Sequence, residues 1–118
     1  MGSYNIFIAN ITWEEDGKNR PVLVVLSTRE KVSVFPITTQ YNHKSKIVRK
    51  KYFPILDWAK SGLHKPSYVD TTKPINLTPI SFSNKKPIGK LTEKDHKRFL
   101  EFVINNRNEQ LSREGKNL

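Results

Sequence analysis

Several polar side chains suited to phosphate chemistry lie near the predicted ends of strands in this sequence. Arg20 precedes Pro21 and the apolar run Val22–Leu26, so a rigid strand should anchor its guanidinium at the rim of the core. A fixed guanidinium with neighbouring hydroxyls can bind and polarise a phosphodiester. Judged by its local context alone, Arg20 also fits a residue that only caps a strand. The other members of this polar set are Ser27, Thr38, Thr39, Asp70, Thr72 and Lys73.

A set of this kind suits RNA, because RNA carries its own nucleophile, the 2′-hydroxyl. A protein then has to align that hydroxyl, stabilise the pentacoordinate phosphorane and manage two protons. The sequence contains no Ser-His-Asp pattern and no glycine-rich phosphate loop. His43, His64 and His96 lack ligand spacing, and there is no cysteine for disulfides or thiolate-bound zinc. We therefore expect neither a metal site nor a cofactor.

The charge of the chain favours a polyanionic partner. Its 21 Lys and Arg residues exceed its 11 Asp and Glu residues, which gives a formal charge of +10. Cations cluster at Lys44–Lys51 and Lys85–Lys90. Within the first cluster, Lys50 and Lys51 are candidates for contact with an RNA backbone, although the run could equally solvate an edge strand. A basic protein without a polyanionic partner is the alternative for the charge as a whole.

The length of 118 residues suits a single domain. We expect that domain to span residues 4–110, with 111–118 as a frayed tail. The sequence has no apolar run long enough to span a membrane and no signal-peptide pattern. No membrane partner is therefore expected, and a cytoplasmic location is the simplest interpretation.

Three strands are predicted in the first part of the chain. Tyr4–Trp13 alternates with apolar residues on both faces, and the polar segment Glu14–Asn19 then forms a hairpin loop. Pro21–Ser27 is the second strand and Val32–Thr39 the third. Pro36 indicates an edge or a bulge in the third strand, and a bulge would turn the two threonines after it out of the ladder.

The middle of the chain predicts shorter elements. Lys46–Phe53 mixes β-branched, aromatic and basic residues, which favours a fourth, exposed strand. Pro54–Leu63 changes period and predicts a short helix that Gly62 ends. Ser67–Thr72 is the fifth strand. Further short strands are expected within Ile75–Thr78 and Lys85–Leu91.

A long helix closes the chain. Thr92 is its predicted N-cap, Asp95 takes the position of a capping-box partner, and the helix should fade by 108–110. We expect its apolar stripe to pack on the sheet, through Phe99, Leu100, Phe102, Val103 and Ile104. The predicted fold is therefore mainly β with helices: a small barrel of five to seven mostly antiparallel strands, one short inserted helix and a C-terminal helix.

Four blocks of the sequence together resemble the MazF/PemK family of toxins from bacterial toxin–antitoxin pairs. Asn19–Val25 and Phe35–Thr38 are similar to the RPVLVV and PIT signatures of that family. Asp57–Val69 resembles a segment of its PemK-like members, and Ile88–Asp95 resembles the start of their last helix. The blocks follow the family order, and the resemblance extends over residues 4–103.

The resemblance implies an SH3-like barrel and a homodimer. It also implies a metal-independent, sequence-specific endoribonuclease that cuts single-stranded RNA to a 2′,3′-cyclic phosphate and a 5′-hydroxyl, and a small acidic antitoxin that covers the site. Arg20 matches the catalytic arginine of the family, and Thr38 matches its catalytic threonine. One acid of the first loop could serve as the base: Glu14, Glu15 or Asp16. Lys73 stands where many members have an arginine, and a lysine cannot make the bidentate contact of an arginine.

Two other functions fit the same residues. An SH3-like module could bind nucleic acid or protein without catalysis, which the lysine at position 73 favours. A toxin with a protein target, like CcdB, would keep its toxicity after Arg20→Ala and lose it through changes in the last helix.

Overall fold

The structure is a computed structural model that describes residues 4–11 and 19–116, with side chains described through 108. Residues 14–18 of the predicted first loop, including Glu14, Glu15 and Asp16, lie outside the described residues, as does Trp13. In the part of the chain that is described, no helix has the length and apolar character needed to cross a membrane.

Seven strands and two helices make up the described chain. The strands are β1 (Asn5–Asn10), β2 (Asn19–Ser27), β3 (Val32–Thr38), β4 (Tyr52–Ile55), β5 (Ser67–Asp70), β6 (Ile75–Leu77) and β7 (Gly89–Lys90). The helices are α1 (Lys46–Arg49) and α2 (Glu93–Lys116), and a 3₁₀ turn spans Pro79–Phe82.

The strands form one antiparallel sheet in the order β4-β5-β3-β2-β1-β7, and β6 also pairs with β3. The sheet curls into a half-barrel, and the chain ends in a long helix. The predicted fold class, mainly β with a small antiparallel barrel and a C-terminal helix, is confirmed.

The outer edge of β3 is divided between two partners. Val32–Val34 pairs with β6, whereas Ile37 and Thr38 pair with β5. Pro36 lies between these segments, so its missing N–H falls at a local edge, as one of the two predicted alternatives requires. The bulge is instead in β2, between Val24 and Leu26. Thr38 therefore stays in the ladder, and the displacement that a bulge at Pro36 would cause does not occur.

The centre of strand β2 is apolar because both faces of the sheet are buried there. Leu23 belongs to a cluster that includes Phe99 of α2, whereas Val22 and Val24 belong to a second cluster that includes Phe82. All three β2 side chains are fully buried. This two-sided burial explains why a run of consecutive aliphatic residues, rather than an alternating one, marks the central strand.

The segment predicted as a fourth strand divides into a helix and a strand. Lys46–Arg49 is helical because the Ser45 hydroxyl caps it, accepting a hydrogen bond from the Val48 amide (3.3 Å). The strand itself begins at Tyr52. The prediction of a strand over Lys46–Phe53 is therefore wrong for its first half.

The predicted helix over Pro54–Leu63 is also corrected. Pro54 lies in β4, and residues 56–62 form consecutive turns. Gly62 ends them in the left-handed region (φ 91°), as its predicted stop role requires. A Cβ at this glycine would lie 2.2 Å from the Ile88 carbonyl oxygen, so the two segments can meet only at a glycine.

The first residues of helix α2 form hydrogen bonds that connect it to these turns. The Thr92 hydroxyl accepts the Asp95 amide (3.3 Å), which confirms the N-cap. The Asp95 carboxylate does not complete a capping box. It is fully buried and accepts the amides of Leu56 (3.3 Å) and Asp57 (2.7 Å), together with the Arg98 guanidinium (2.6 Å). Its two amide partners are long-range, and through them it joins α2 to the turns after β4.

The apolar stripe of α2 is only partly covered by the sheet. Phe99 is buried and Phe102 is half-buried. Leu100, Val103 and Ile104 stay 42%, 37% and 56% exposed, which corrects the prediction that the whole stripe packs on the sheet. The helix continues to Lys116, past its predicted end at 108–110.

Candidate nucleic-acid cleft

A cleft of about 840 Å³ opens where the outer edge of β3 changes partner. The chain from Thr71 to Pro74, which connects β5 to β6, forms one of its sides. The polar residues that line it are Arg20, Thr38, Gln40, Lys44, Tyr52, Asp70, Thr72, Lys73 and Asn76.

Arg20 and Thr38 reach the cleft from neighbouring strands. The last register pair of β2 and β3 at this end is Val22 with Pro36, and each polar residue lies two positions further along its strand. Because side chains alternate along a strand, both point to the face that carries Val22. The guanidinium and the hydroxyl therefore sit at the same end of one sheet face, and Arg20 is half-buried there.

The Thr38 hydroxyl has a defined direction. Its oxygen accepts the backbone amide of Gln40 (3.0 Å). A hydroxyl that accepts from the backbone keeps its own proton for donation to another group. Thr38 can therefore donate a hydrogen bond to an oxygen bound in the cleft.

The connection after β5 is held by hydrogen bonds at both of its first residues. Thr71 donates to the Lys51 carbonyl through its amide (2.9 Å) and its hydroxyl (2.6 Å). The Asp70 carboxylate accepts the Thr72 amide (3.0 Å). These bonds fix the start of the segment that presents Thr72 and Lys73 to the cleft.

The charges of the cleft suit an anion. Among the described residues that line it, Arg20, Lys44 and Lys73 are cationic, and Asp70 is the acid. An excess of cations in a concave site attracts phosphate groups. The described residues contain no group of three or more His, Cys, Asp or Glu side chains placed to hold a metal ion.

The structure brings together five residues of the predicted polar set: Arg20, Thr38, Asp70, Thr72 and Lys73. Thr39 is exposed just outside the lining. Ser27 is at the opposite end of β2, about 23 Å from Arg20 at the usual rise per strand residue. Lys50 lines a separate, neighbouring pocket, and Lys51 lines neither.

Four polar lining residues were not among the predicted ones. Gln40 and Lys44 follow Thr38 closely in the sequence, so that proximity was an available signal. Tyr52 and Asn76 reach the cleft through pairing of β4 with β5 and of β6 with β3, so their contribution depends on which strands pair. The Asn76 side chain also accepts the Ser33 hydroxyl (2.6 Å), which fixes it against β3.

Among solved structures, the chain is similar to the Mycobacterium tuberculosis toxin MazF-mt6. The match has a TM-score of 0.65 and 24% sequence identity, and it covers 88% of this chain and 96% of that one. No protein-family model and no curated protein matches the sequence. The agreement in structure extends over most of both chains. This chain therefore has the fold of the MazF-like toxins.

Proposed function

We propose that the protein is the toxin of a toxin–antitoxin pair and acts as a sequence-specific endoribonuclease on single-stranded RNA. The observation that carries this proposal is the placement of Arg20 and Thr38. They are distant in the sequence, match the two catalytic positions of the resembled family, and line one cationic cleft. The fold shared with a MazF toxin supports the same conclusion.

In the proposed reaction, the 2′-oxygen of a ribose attacks the adjacent phosphorus, and the bond from phosphorus to the 5′-oxygen breaks. Thr38 donates a hydrogen bond to a phosphate oxygen and orients the phosphorus. Arg20 stabilises the additional negative charge of the phosphorane. The products are a 2′,3′-cyclic phosphate and a 5′-hydroxyl, so no metal is required for this chemistry.

Two proton transfers complete the reaction. The base must take the 2′-hydroxyl proton, and the leaving 5′-oxygen must gain one. Asp70 supplies a carboxylate at the cleft, and the predicted alternatives are Glu14, Glu15 and Asp16 of the first loop. Arg20 is a candidate donor to the leaving oxygen.

The proposal includes a homodimer, a small acidic antitoxin and a cytoplasmic location. The formal charge of +10 favours an acidic partner protein as well as RNA. Occupation of the cleft by an acidic segment would block the cations that RNA needs. Light scattering of the purified protein tests the dimer, and co-expression with a small acidic reading frame adjacent to the gene tests the antitoxin.

The activity is tested by incubating the protein with a long unstructured RNA in EDTA and mapping the new ends. We expect discrete cuts that leave 2′,3′-cyclic phosphates and 5′-hydroxyls. Arg20→Ala should abolish them, whereas Arg29→Ala, a change of an exposed arginine in the β2–β3 turn, should leave them unchanged. Uncut RNA, together with growth arrest that survives Arg20→Ala, would overturn the proposal.

The same experiment separates the two other functions. Salt-sensitive RNA binding without cuts would indicate a non-catalytic module. The presence of Lys73 supports this alternative, because lysine is a point charge and cannot bind a phosphate in the bidentate way of an arginine. Toxicity that persists in Arg20→Ala and disappears with changes in α2 would indicate a protein target.

A further inference from the structure

A second basic pocket lies beside the cleft. It has a volume of about 310 Å³ and is lined by Tyr41, Lys46, Arg49 and Lys50. Three of these four side chains are cationic and none is acidic. A concave site with this lining favours an anionic ligand.

Aromatic rings hold the arginine of this pocket in place. Tyr41 stacks on Tyr68 with ring centroids 4.2 Å apart and planes 6° from parallel. The Arg49 guanidinium carbon lies 5.5 Å from the centroid of the Tyr41 ring. Since Tyr68 covers one face of that ring, the guanidinium occupies the other. A guanidinium fixed in this way loses less conformational freedom when it binds a ligand.

Arg49 has no acidic partner in the described part of the chain. Its Nε is buried, and no hydrogen-bond acceptor for it occurs among the described residues. By contrast, the Arg98 guanidinium pairs with Asp95. The charge of Arg49 is therefore not neutralised locally, as a site for an anion requires.

The pocket adjoins the cleft. Its Tyr41 ring lies 6.4 Å from the ring of Tyr52, which lines the cleft. Gln40 precedes Tyr41 and also lines the cleft, as does Lys44, whose amide donates to the Tyr41 carbonyl (3.1 Å). A single extended RNA strand can therefore reach both the cleft and the pocket.

We propose that this pocket binds a phosphate of the same RNA strand, next to the phosphate that is cut. The inference rests on the proposed function for its substrate and adds a subsite that holds the strand outside the reacting bond. Arg49 is the anchor of the subsite, and Lys46 and Lys50 add two exposed charges. The pocket contributes to RNA affinity and not to bond breaking.

The test uses a short single-stranded RNA of mixed sequence that is 2′-O-methylated throughout and so cannot be cut. Its affinity is measured against salt for the wild type, Arg49→Ala and the double variant Lys46→Ala/Lys50→Ala. The matched controls are Arg107→Ala and Lys94→Ala/Lys97→Ala, which remove exposed cations from α2. The double variant changes exposed residues only, so it remains informative if Arg49→Ala disturbs the tyrosine stack.

We expect Arg49→Ala to weaken binding about tenfold, as for the loss of a charged hydrogen bond. The slope of log affinity against log salt should fall by about 0.7, the value for one phosphate on a single strand. The double variant should change both quantities in the same direction, and the controls should change neither. In cleavage assays, KM should rise in Arg49→Ala while kcat stays unchanged.

Absence of RNA binding, or equal slopes in the pocket variants and their controls, would overturn the subsite. Failure of the proposed function has a different signature. In that case the unmethylated RNA stays uncut, whereas the slope still changes in Arg49→Ala.

Discussion

The start of α2 and the cleft use polar side chains in different ways. At the start of α2, the buried Asp95 carboxylate is occupied by two backbone amides and a guanidinium. In the cleft, the Thr38 hydroxyl accepts the Gln40 amide and donates to no group among the described residues, and Lys73 is exposed. A carboxylate that accepts several hydrogen bonds within the chain stabilises the fold, whereas Thr38 and Lys73 present a donor and a charge to a ligand.

The strongest test of this contrast removes the buried acid. Asp95→Ala leaves the Leu56 and Asp57 amides without an acceptor and uncouples Arg98. We expect the free energy of unfolding to fall by about 3 kcal/mol, as for loss of one partner of a buried charge. Urea denaturation measures this loss, and RNA cleavage by the remaining folded protein should be unchanged.

The control for that experiment is Glu93→Ala, which removes an exposed acid from the same helical turn. This variant should lower the free energy of unfolding by less than about 1 kcal/mol, since it removes only an interaction with the helix dipole. Similar losses in both variants would contradict the role assigned to the buried carboxylate.

At the cleft, Arg20→Lys should have the opposite effect: a loss of RNA cleavage with little change in stability. Lysine keeps the charge but not the planar fork, so we expect cleavage to fall about 100-fold. The free energy of unfolding should change by less than about 1 kcal/mol. Single-turnover cleavage and urea denaturation measure the two effects, with Arg29→Lys as the matched change outside the cleft.

The two neighbouring threonines give a smaller and sharper comparison. Thr38→Val removes the hydroxyl that faces the cleft at nearly constant volume, and we expect about tenfold slower cleavage. Thr39→Val removes a hydroxyl just outside the lining and should leave the rate unchanged. Equal effects of the two changes on kcat would argue against a directed role for Thr38.

The smallest predicted effect concerns Lys73. Lys73→Arg restores the residue that many members of the resembled family carry, and a guanidinium can bind a phosphate through two hydrogen bonds. We expect RNA cleavage to rise about threefold. A fall in kcat/KM in this variant would show that the lysine is specifically required.

The sequence was most informative where one local signal dominates. The aliphatic run of β2 predicted a buried strand because both faces of the sheet cover it. Lys46–Phe53 was misjudged because its β-branched and aromatic residues outweighed the Ser45 cap, which makes its first half helical. Asp95 stands at a capping-box position, yet the two amides that it accepts lie 38 and 39 residues away in the sequence. Only tertiary contacts could reveal that pairing.

The same limit applies to the site. Arg20 and Thr38 could be selected because each lies at an end of a predictable strand and within a family-like motif. The contributions of Tyr52 and Asn76 depend on which strands pair, and no local pattern encodes this. The Tyr41–Arg49 contact likewise joins a loop to a short helix that the sequence pattern did not predict.

The most direct test of the account locates the RNA on the protein. A single-stranded RNA that carries 4-thiouridine and is 2′-O-methylated throughout is photo-crosslinked to the wild type, and the modified peptides are identified by mass spectrometry. The account predicts crosslinks within residues 36–52 and 70–76, which line the cleft and the adjacent pocket. Crosslinks confined to α2, around its exposed residues 100–104, would contradict it.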